Sequence, residues 1–118
     1  MKKPSRTAAA NACLAVLDAD FFKAFCEPAR LEVVRQMIKL GRADIGEIAD
    51  GLPQDRSVVS RHLQVLEQAG IAASSKEGRR VFYELDGPVI MMKLAAITDA
   101  FTPLVATCCP GPKRKVRS

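Results

Sequence analysis

The sequence is poor in the residues that most often build enzyme and metal sites. It contains no tryptophan, one tyrosine and one histidine. A single histidine argues against a His-rich metal centre and against most histidine-based acid–base catalysis. No stretch approaches the length of a membrane span, and the short apolar run near the start is interrupted by Asn11 and followed by Asp18 and Asp20. We therefore expect a cytoplasmic chain that is not an enzyme and does not bind a membrane.

Positive charge is concentrated at the two ends of the chain. The net charge is +5, and seven of the cations lie at the ends: Lys2, Lys3, Arg6, Lys113, Arg114, Lys115 and Arg117. The residues between them carry more acids than bases. Basic ends suit nucleic acid or another anionic surface, although a tail that only improves solubility has the same composition. We expect residues 1–7 to form a flexible basic arm.

The four cysteines do not follow the pattern of a disulfide framework. Cys13 and Cys26 lie in the first helical stretch, whereas Cys108 and Cys109 are adjacent near the end of the chain. Adjacent cysteines are too close to bridge each other without strain. The spacing favours reduced thiols in a cytoplasmic protein. We expect Cys26 to be buried as a small apolar residue.

Apolar periodicity predicts mainly helical structure with one small β-hairpin. A continuous helix is expected from about residue 8 to residue 26, with Leu14 and Leu17 on its buried side. Pro28 begins the next helix, which buries Ile38 and ends at Gly41. Three further helices are predicted in "RADIGEIADGL", "RSVVSRHLQVLEQAG" and "VIMMKLAAITDAF", the last of which kinks or ends near Pro103. Strands "IAASS" and "VFYEL" are expected on either side of the turn "KEGRR".

The middle of the chain predicts a winged helix-turn-helix, because a short helix, a tight turn, a second helix and a hairpin follow one another. The second helix begins after Asp55 and has two faces when its residues are placed at steps of about 100°. Val59, Leu63, Leu66 and Ala69 gather on one face. The other face carries serine, glutamine and arginine and no acidic residue.

This polar face is typical of a helix that enters the major groove of DNA. Small residues permit close approach, arginine suits guanine edges and glutamine suits adenine edges. The hairpin cations can reach phosphates or the minor groove. His62 falls on the apolar side, where a histidine at the edge of the core is expected. The predicted DNA contacts are Arg56, Ser57, Ser60, Arg61, Gln64, Lys76, Arg79 and Arg80.

Three segments resemble the winged-helix repressors of the ArsR/SmtB family: "AFCEPARLEVVRQM", "SVVSRHLQVLEQAGI" and "KEGRRVFYEL". The resemblance implies a homodimer formed by the first and last helices. It also implies binding to a pseudo-palindromic operator in double-stranded DNA and release when an inducer binds. Two sensing motifs of the family are missing, because "ADIGEIADG" contains no thiol and residues 87–118 contain no histidine.

The adjacent pair Cys108 and Cys109 is therefore the predicted sensing site. Thiolates select soft ions such as trivalent arsenic or antimony, mercury and copper(I). Trivalent arsenic prefers three sulfurs, so a third ligand must come from elsewhere. Cys13 is the predicted third ligand, since its helix is expected to pack against the last helix of the same or the partner subunit. Cys26 is the other thiol open to this role.

The sequence thus favours a repressor that releases its operator when arsenite, antimonite or methylarsenite binds to cysteine thiolates. The alternative is a redox or reactive-sulfur switch on the same fold, in which the pair joins Cys13 or Cys26 in a disulfide or persulfide. We expect residues 8–107 to form the winged helix-turn-helix domain. Residues 108–118 are expected to carry the cysteine pair and the basic tail.

Overall fold

The computed structural model describes the backbone of residues 5–108 and the side chains of residues 5–106. Within this range the chain is mainly helical with one small sheet, as the sequence predicts. The elements, in chain order, are α1 (Arg6–Val16), α2 (Ala19–Cys26), α3 (Pro28–Leu40), β1 (Ala43–Asp44), α4 (Ile45–Asp50), α5 (Arg56–Gln68), β2 (Ala72–Glu77), β3 (Arg80–Leu85) and α6 (Gly87–Cys108).

The chain divides into two compact units. One unit is residues 19–90, which contain the helix-turn-helix and the sheet. The other combines the residues up to Asp18 with those from Met91 onward, so that α1 and most of α6 belong to it. The predicted basic arm is partly helical, because α1 already begins at Arg6 and is capped by the hydroxyl of Ser5.

The predicted continuous first helix is wrong, because α1 and α2 are separated at Leu17 and Asp18. The break changes which side chains are buried. Ala9 and Cys13 are the buried residues of α1, whereas Leu14 is 67% exposed and Leu17 is also exposed. A helix wheel drawn across the break therefore assigns the apolar stripe to the wrong residues.

Helix α3 begins and ends where the sequence predicts. Pro28 occupies its first turn, and the carboxylate of Glu27 accepts hydrogen bonds from the amides of Ala29 and Arg30 at 3.2 and 3.0 Å. Gly41 ends the helix with a φ of 70°, a conformation that glycine adopts without strain. The expected burial of Ile38 is wrong, since its side chain is 66% exposed.

The core of the unit formed by residues 19–90 surrounds α5. This helix packs against α3, α4 and β2. Its apolar face is buried as predicted, with Val59, Leu63 and Leu66 completely inaccessible to solvent. The largest fully buried side chains in the described residues are Met37, Ile48, Leu63, Leu66, Ile71, Val33 and Val59.

The sheet has three antiparallel strands in the order β1–β3–β2. Strands β2 and β3 are the predicted hairpin, and their turn contains Gly78 with a φ of 62°. The sequence did not predict β1, which is only two residues long. Because Asp44 pairs with Phe82 of β3, the start of α4 is joined directly to the hairpin.

Helix α6 begins after Asp86, whose carboxylate accepts a hydrogen bond from the amide of Val89 at 3.2 Å. The sequence predicts a kink or an end near Pro103; the helix does not end there but continues to Cys108. Proline removes one amide donor, yet its fixed φ is compatible with a helix, so the helix persists through it.

The apolar stretch of α6 is longer than expected from the sequence. Its residues Gly87–Ala106 have a mean hydropathy of 1.6, which in length and composition is enough to cross a membrane. The expectation that no stretch approaches such a length is therefore wrong. Composition alone does not make a span, since helices that pack in the core of a soluble protein or at its subunit interface meet the same criterion.

Leu63→Ala tests the role of the buried face of α5. We expect it to lower the free energy of unfolding by about 2–5 kcal/mol, because it removes a fully buried side chain and leaves a cavity. Urea unfolding at one fixed protein concentration measures the change. The exposed Ile38→Ala is the control and should change stability by less than about 0.5 kcal/mol. Equal effects of the two variants would contradict the assignment of the core.

Candidate nucleic-acid interface

The helix-turn-helix consists of α4, a turn at residues 51–55 and α5. Asp44 and Glu47 form a capping box at the start of α4. The Asp44 carboxylate accepts from the Glu47 amide at 2.8 Å, and the Glu47 carboxylate accepts from the Asp44 amide at 3.1 Å. Two of the amides that a helix start leaves unpaired are thereby satisfied, and the direction of α4 is fixed.

Helix α5 turns its polar face to solvent because its apolar face is buried. Arg56, Ser57, Arg61 and Gln64 are exposed, and Ser60 is half-buried beside the core. Asp55 has the extended backbone of a helix cap, but its side chain makes no capping hydrogen bond. Among the described residues, Arg56 and Arg61 have no ion-pair partner, so both guanidinium groups remain available to an anion.

The hairpin places three cations at its tip, and they differ in their surroundings. Lys76, Arg79 and Arg80 are all exposed. Within residues 5–106, no carboxylate forms an ion pair with Lys76 or Arg79. The guanidinium of Arg80, in contrast, forms ion pairs with Asp44 and Glu47. The sequence placed all three cations in one class, and the structure separates them.

Arg80 joins the hairpin to the start of α4. Its Nε donates to Oδ2 of Asp44 at 2.8 Å, and its Nη2 donates to the same oxygen and to Oε1 of Glu47, the latter at 3.2 Å. The pKa of Asp44 is lowered, first by the hydrogen bond from the Glu47 amide and then by the one from Arg80. The pKa of Arg80 is raised in turn, chiefly by its hydrogen bond to Asp44.

A second arginine, Arg42, holds the other strand of the hairpin. Its Nη2 donates to Oε1 of Glu77 at 2.6 Å and to the hydroxyl of Ser75 at 3.3 Å. Its guanidinium carbon also lies 4.0 Å from the centre of the Phe82 ring, and that of Arg80 lies 4.8 Å from it. The cluster of these two arginines and their carboxylate partners was not predicted from the sequence. The spacing Asp44-x-x-Glu47 could have indicated the helix cap.

His62 lies at the edge of the core, as the sequence predicts. Its Nε2 is 3.7 Å from a carboxylate oxygen of Glu27. Burial lowers the pKa of His62, the charge of Arg30 lowers it further, and Glu27 partly opposes both effects. The pKa of Glu27 is itself lowered, first by the amide of Ala29. These surroundings therefore favour the neutral form of the His62 side chain more than water does.

Cys13 is the one predicted sensing thiol whose side chain is described. It is 4% exposed, and its Sγ donates to the carbonyl oxygen of Ala100 on α6 at 3.1 Å. Lys93 of α6 also donates to Asp18, just after α1, at 2.7 Å. These two contacts show that α1 packs antiparallel to α6 of the same chain, as expected of the first and last helices.

Cys13 contacts α6 at Ala100, before the last two turns of the helix. Cys108 is the last residue of the helix, and its side chain and all of Cys109 lie outside the described residues. Cys108 is eight positions after Ala100 in the chain, which is about 12 Å along a helix axis. Within one chain the structure therefore does not bring Cys13 beside the backbone of Cys108.

The other described thiol, Cys26, corrects a sequence expectation. It is the last residue of α2, and its side chain is exposed to solvent and not buried. Across residues 5–106, no three His, Cys, Asp or Glu side chains are grouped so that they could hold a metal ion.

The sequence matches the model of a known family over residues 27–74, described as "Bacterial regulatory protein, arsR family". An uncharacterized HTH-type transcriptional regulator of Methanocaldococcus jannaschii is 37% identical over 65 residues, which are 55% of this chain and 73% of the relative. The arsenical resistance operon repressor of Escherichia coli K12 is 31% identical over 84 residues, which are 71% of either chain.

Solved structures have the same fold. A possible transcriptional regulator for arsenical resistance is 30% identical, with a TM-score of 0.57 over 75% of this chain and 86% of that one. A winged helix-turn-helix domain from Mycobacterium bovis, homodimeric in solution, is 21% identical, with a TM-score of 0.56 over 86% of this chain and 92% of the other. The described chain is thus a winged helix-turn-helix.

The environment of His62 generates a prediction about pH. Because its pKa is lowered on folding, the unfolded chain binds a proton more readily. The resulting stability is fully present above the ordinary pKa of about 6.5 and is lost as the pH falls through the lower pKa of the folded protein. Urea unfolding at about pH 7.5 and about pH 5.5 should show this loss, since the window includes the ordinary pKa of histidine.

His62→Gln is the control for this measurement. It removes the only histidine and should make the free energy of unfolding less dependent on pH across the same window. Glu27 stays ionised throughout, because its pKa is lowered from 4.5. A variant as pH-dependent as the wild type would show that another group causes the loss.

Proposed function

Since the chain belongs to the arsR family of bacterial regulatory proteins, in which its relatives are DNA-binding transcriptional regulators and not enzymes, we propose the following specific function. The protein is a cytoplasmic, homodimeric repressor that binds a pseudo-palindromic operator. It releases this operator when trivalent arsenic or antimony binds to cysteine thiolates. The observation that carries the inducer assignment is the pair of adjacent cysteines in the sequence, Cys108 and Cys109, the first of which is the last residue of α6.

DNA reading is assigned to the polar face of α5. The exposed Arg61 and Gln64 have the donors and acceptors that distinguish base pairs in the major groove. Ser57 and Ser60 are small enough to allow the helix to approach. We assign contacts with backbone phosphates, which fix the register of the helix, to Arg56 at the start of α5 and to Lys76 and Arg79 of the hairpin.

The dimer interface is assigned to α1 and α6. Both helices expose large apolar side chains, which a monomeric protein rarely leaves in contiguous groups. In this unit the exposed ones are Leu14, Leu17, Met91, Met92, Leu94 and Val105. A second copy of the same chain would cover them, and two reading helices related by a twofold axis would match half-sites about 34 Å apart. The apolar composition of α6 then reflects a subunit interface and not a membrane.

The inducer is assigned from the chemistry of the thiols. Soft thiolates select trivalent arsenic and antimony over the ions that oxygen ligands bind. The pair supplies two sulfurs, which suffice for methylarsenite, while arsenite requires a third. Because Cys13 of the same chain lies near Ala100, it can complete the site only if the end of α6 rearranges or if the ligand bridges two subunits.

Inducer binding would act on DNA affinity through the interface helices. A ligand that draws the end of α6 toward a new thiol partner changes how α6 packs on α1. Both helices belong to the proposed interface, so the spacing of the two reading helices changes with them. A coupling free energy of about 1–3 kcal/mol is enough to lower operator occupancy.

Arg61→Ala tests the reading face. We expect it to weaken binding to a duplex selected by the wild-type protein from a random library by about 1–3 kcal/mol, the usual contribution of an arginine–guanine contact. Fluorescence anisotropy at fixed salt measures the affinity. Arg35→Ala, on the exposed surface of α3, removes the same charge outside the interface and should leave affinity nearly unchanged. If both variants bind as the wild type does, the reading face is assigned wrongly.

The double variant Cys108→Ser with Cys109→Ser tests the inducer. Adding arsenite to the reduced wild-type complex should release the duplex, followed as a fall in anisotropy, while the double variant should stay bound. Cys26→Ser, which changes a single exposed thiol, is the matched control and should respond like the wild type. Release of the double variant by arsenite would exclude the pair as the sensor.

Cys13→Ala separates two ligand sets within the same assay. If Cys13 supplies the third sulfur, this variant should lose its response to arsenite and retain its response to methylarsenite.

The alternative function, a redox or reactive-sulfur switch, is favoured by the exposure of Cys26. Mild peroxide would then release the duplex without arsenic, because two thiols are oxidised to a disulfide while peroxide is reduced to water, and mass spectrometry would find that disulfide.

A further inference from the structure

We infer that Arg80 is a positioning residue, which fixes the hairpin against the helix-turn-helix, and that it is not a DNA-phosphate contact. This inference deepens the DNA-binding function proposed above and rests on it. It also reassigns one of the cations that the sequence groups with the DNA contacts. Arg79, the neighbouring cation, keeps the phosphate-binding role.

The contacts of Arg80 reach the residues that begin α4. Asp44 uses Oδ1 to cap the Glu47 amide and Oδ2 to accept from Arg80. Glu47 uses Oε1 both for the Asp44 amide and for Arg80. One guanidinium therefore ties the first residue of β3 to both members of the capping box, at a point where β1 contributes only two residues of pairing.

The charge around Arg80 is already compensated. Arg42 and Arg80 face three carboxylates, those of Asp44, Glu47 and Glu77. Arg56 also lies close enough to Asp44 for its charge to lower the pKa of that carboxylate, so the negative charges of this group are matched by positive ones. A guanidinium held between two carboxylates releases few counterions on approaching DNA, and counterion release is what phosphate contacts contribute to affinity.

Packing holds Arg80 in the same place. Its guanidinium carbon lies 4.8 Å from the centre of the Phe82 ring, and Arg42 contacts that ring as well. Phe82 pairs with Asp44 on one side and with Ser75 on the other. Phe82 is thus on the central strand of the three-stranded sheet, and the two arginines connect the outer strands to this strand.

Arg79 differs in each of these respects. It lies in the hairpin turn beside Gly78, is exposed, and has no ion pair among residues 5–106. It lines an open cleft of about 190 Å³ with Arg56, the first residue of α5. Neither cation forms a close ion pair among residues 5–106, so both suit a backbone phosphate, and Arg80 with Asp44 forms the wall of the cleft.

The first experiment measures the hairpin without DNA. Hydrogen exchange of the amides of residues 76–80 should be about two- to fivefold faster in Arg80→Ala than in the wild type, the range expected when an exposed ion pair is removed. Arg79→Ala is the matched control and should exchange like the wild type. Arg80→Lys keeps the charge but not the forked geometry, so it should protect the hairpin less than the wild type does.

A double-mutant cycle shows whether Arg80 acts through the capping box. In an Asp44→Asn, Glu47→Gln background both residues can still cap α4, but their charges are gone. We expect Arg80→Ala to have no further effect on exchange in this background. An undiminished effect, or normal exchange in the single Arg80→Ala variant, would overturn the proposal.

The second experiment counts phosphate contacts on a labelled random-sequence duplex, for which no operator is needed. Arg80→Ala with Glu47→Gln and Arg79→Ala with Glu84→Gln each remove one cation and one carboxylate. The Arg79 pair of changes should reduce the slope of log affinity against log salt by about 0.9 for each phosphate that the protein no longer neutralises. The Arg80 pair should leave the slope at the wild-type value, and an equal reduction would overturn the proposal.

The two experiments also separate this inference from the proposed function. If the wild-type protein shows no salt-dependent binding to any duplex, the proposed DNA-binding function fails. The exchange measurements still decide whether Arg80 positions the hairpin.

Discussion

The burial of one face of α5 is the constraint on which the proposed interface depends. Val59, Leu63 and Leu66 have no solvent-accessible surface, so the helix cannot rotate about its axis without exposing them. Exposing a fully buried leucine or valine costs about 1.5–3 kcal/mol. The outward direction of Arg61 and Gln64 is therefore a consequence of core packing. No further interaction is needed to orient these two side chains toward a DNA groove.

Fixing the rotation of α5 about its axis is not sufficient for DNA binding. The hairpin must also be held in position relative to this helix. Here Asp44 has two roles, as the last residue of β1 and as the cap of α4. Sheet pairing and helix capping thus meet at one residue, and Arg80 adds the side-chain connection. The surrounding ion pairs are exposed, and exposed ion pairs contribute little to global stability. In the proposal above, their role is to hold the hairpin in one orientation relative to α4.

The sequence predicts best the features that depend on local pattern. The two faces of α5, the start of α3 at Pro28 and the hairpin around Gly78 all follow from periodicity or backbone preference. It fails where distant residues decide. The break at Leu17 and Asp18 separates α1 from α2, and no proline or glycine marks it. Strand β1 is too short for a periodic signal, and the exposure of Cys26 depends on what packs against α2.

The cations of the candidate site show the same limit. Composition places Lys76, Arg79 and Arg80 together at one tip, since all three are basic and exposed. Only the three-dimensional register shows that β1 brings Asp44 beside Arg80, because the two residues are far apart in the chain. Whether a charged side chain contacts a ligand or forms an ion pair within the protein can be decided only when the groups around it are known.

The proposed sensing through Cys108 and Cys109 sets a requirement on what an inducer must do. The start of α6 is anchored, because the Asp86 amide donates to the carbonyl of Ile71 at 2.8 Å and its carboxylate caps the helix. Near the other end, Pro103 lacks the amide that would bond to Asp99, so the last turns are held by fewer hydrogen bonds. A ligand that only bends these turns would leave the contact between Cys13 and Ala100 intact and would transmit nothing to α1. Sensing through this pair therefore requires a displacement that passes Pro103 and reaches Ala100, which a third sulfur contributed by α1 or by the partner subunit would supply.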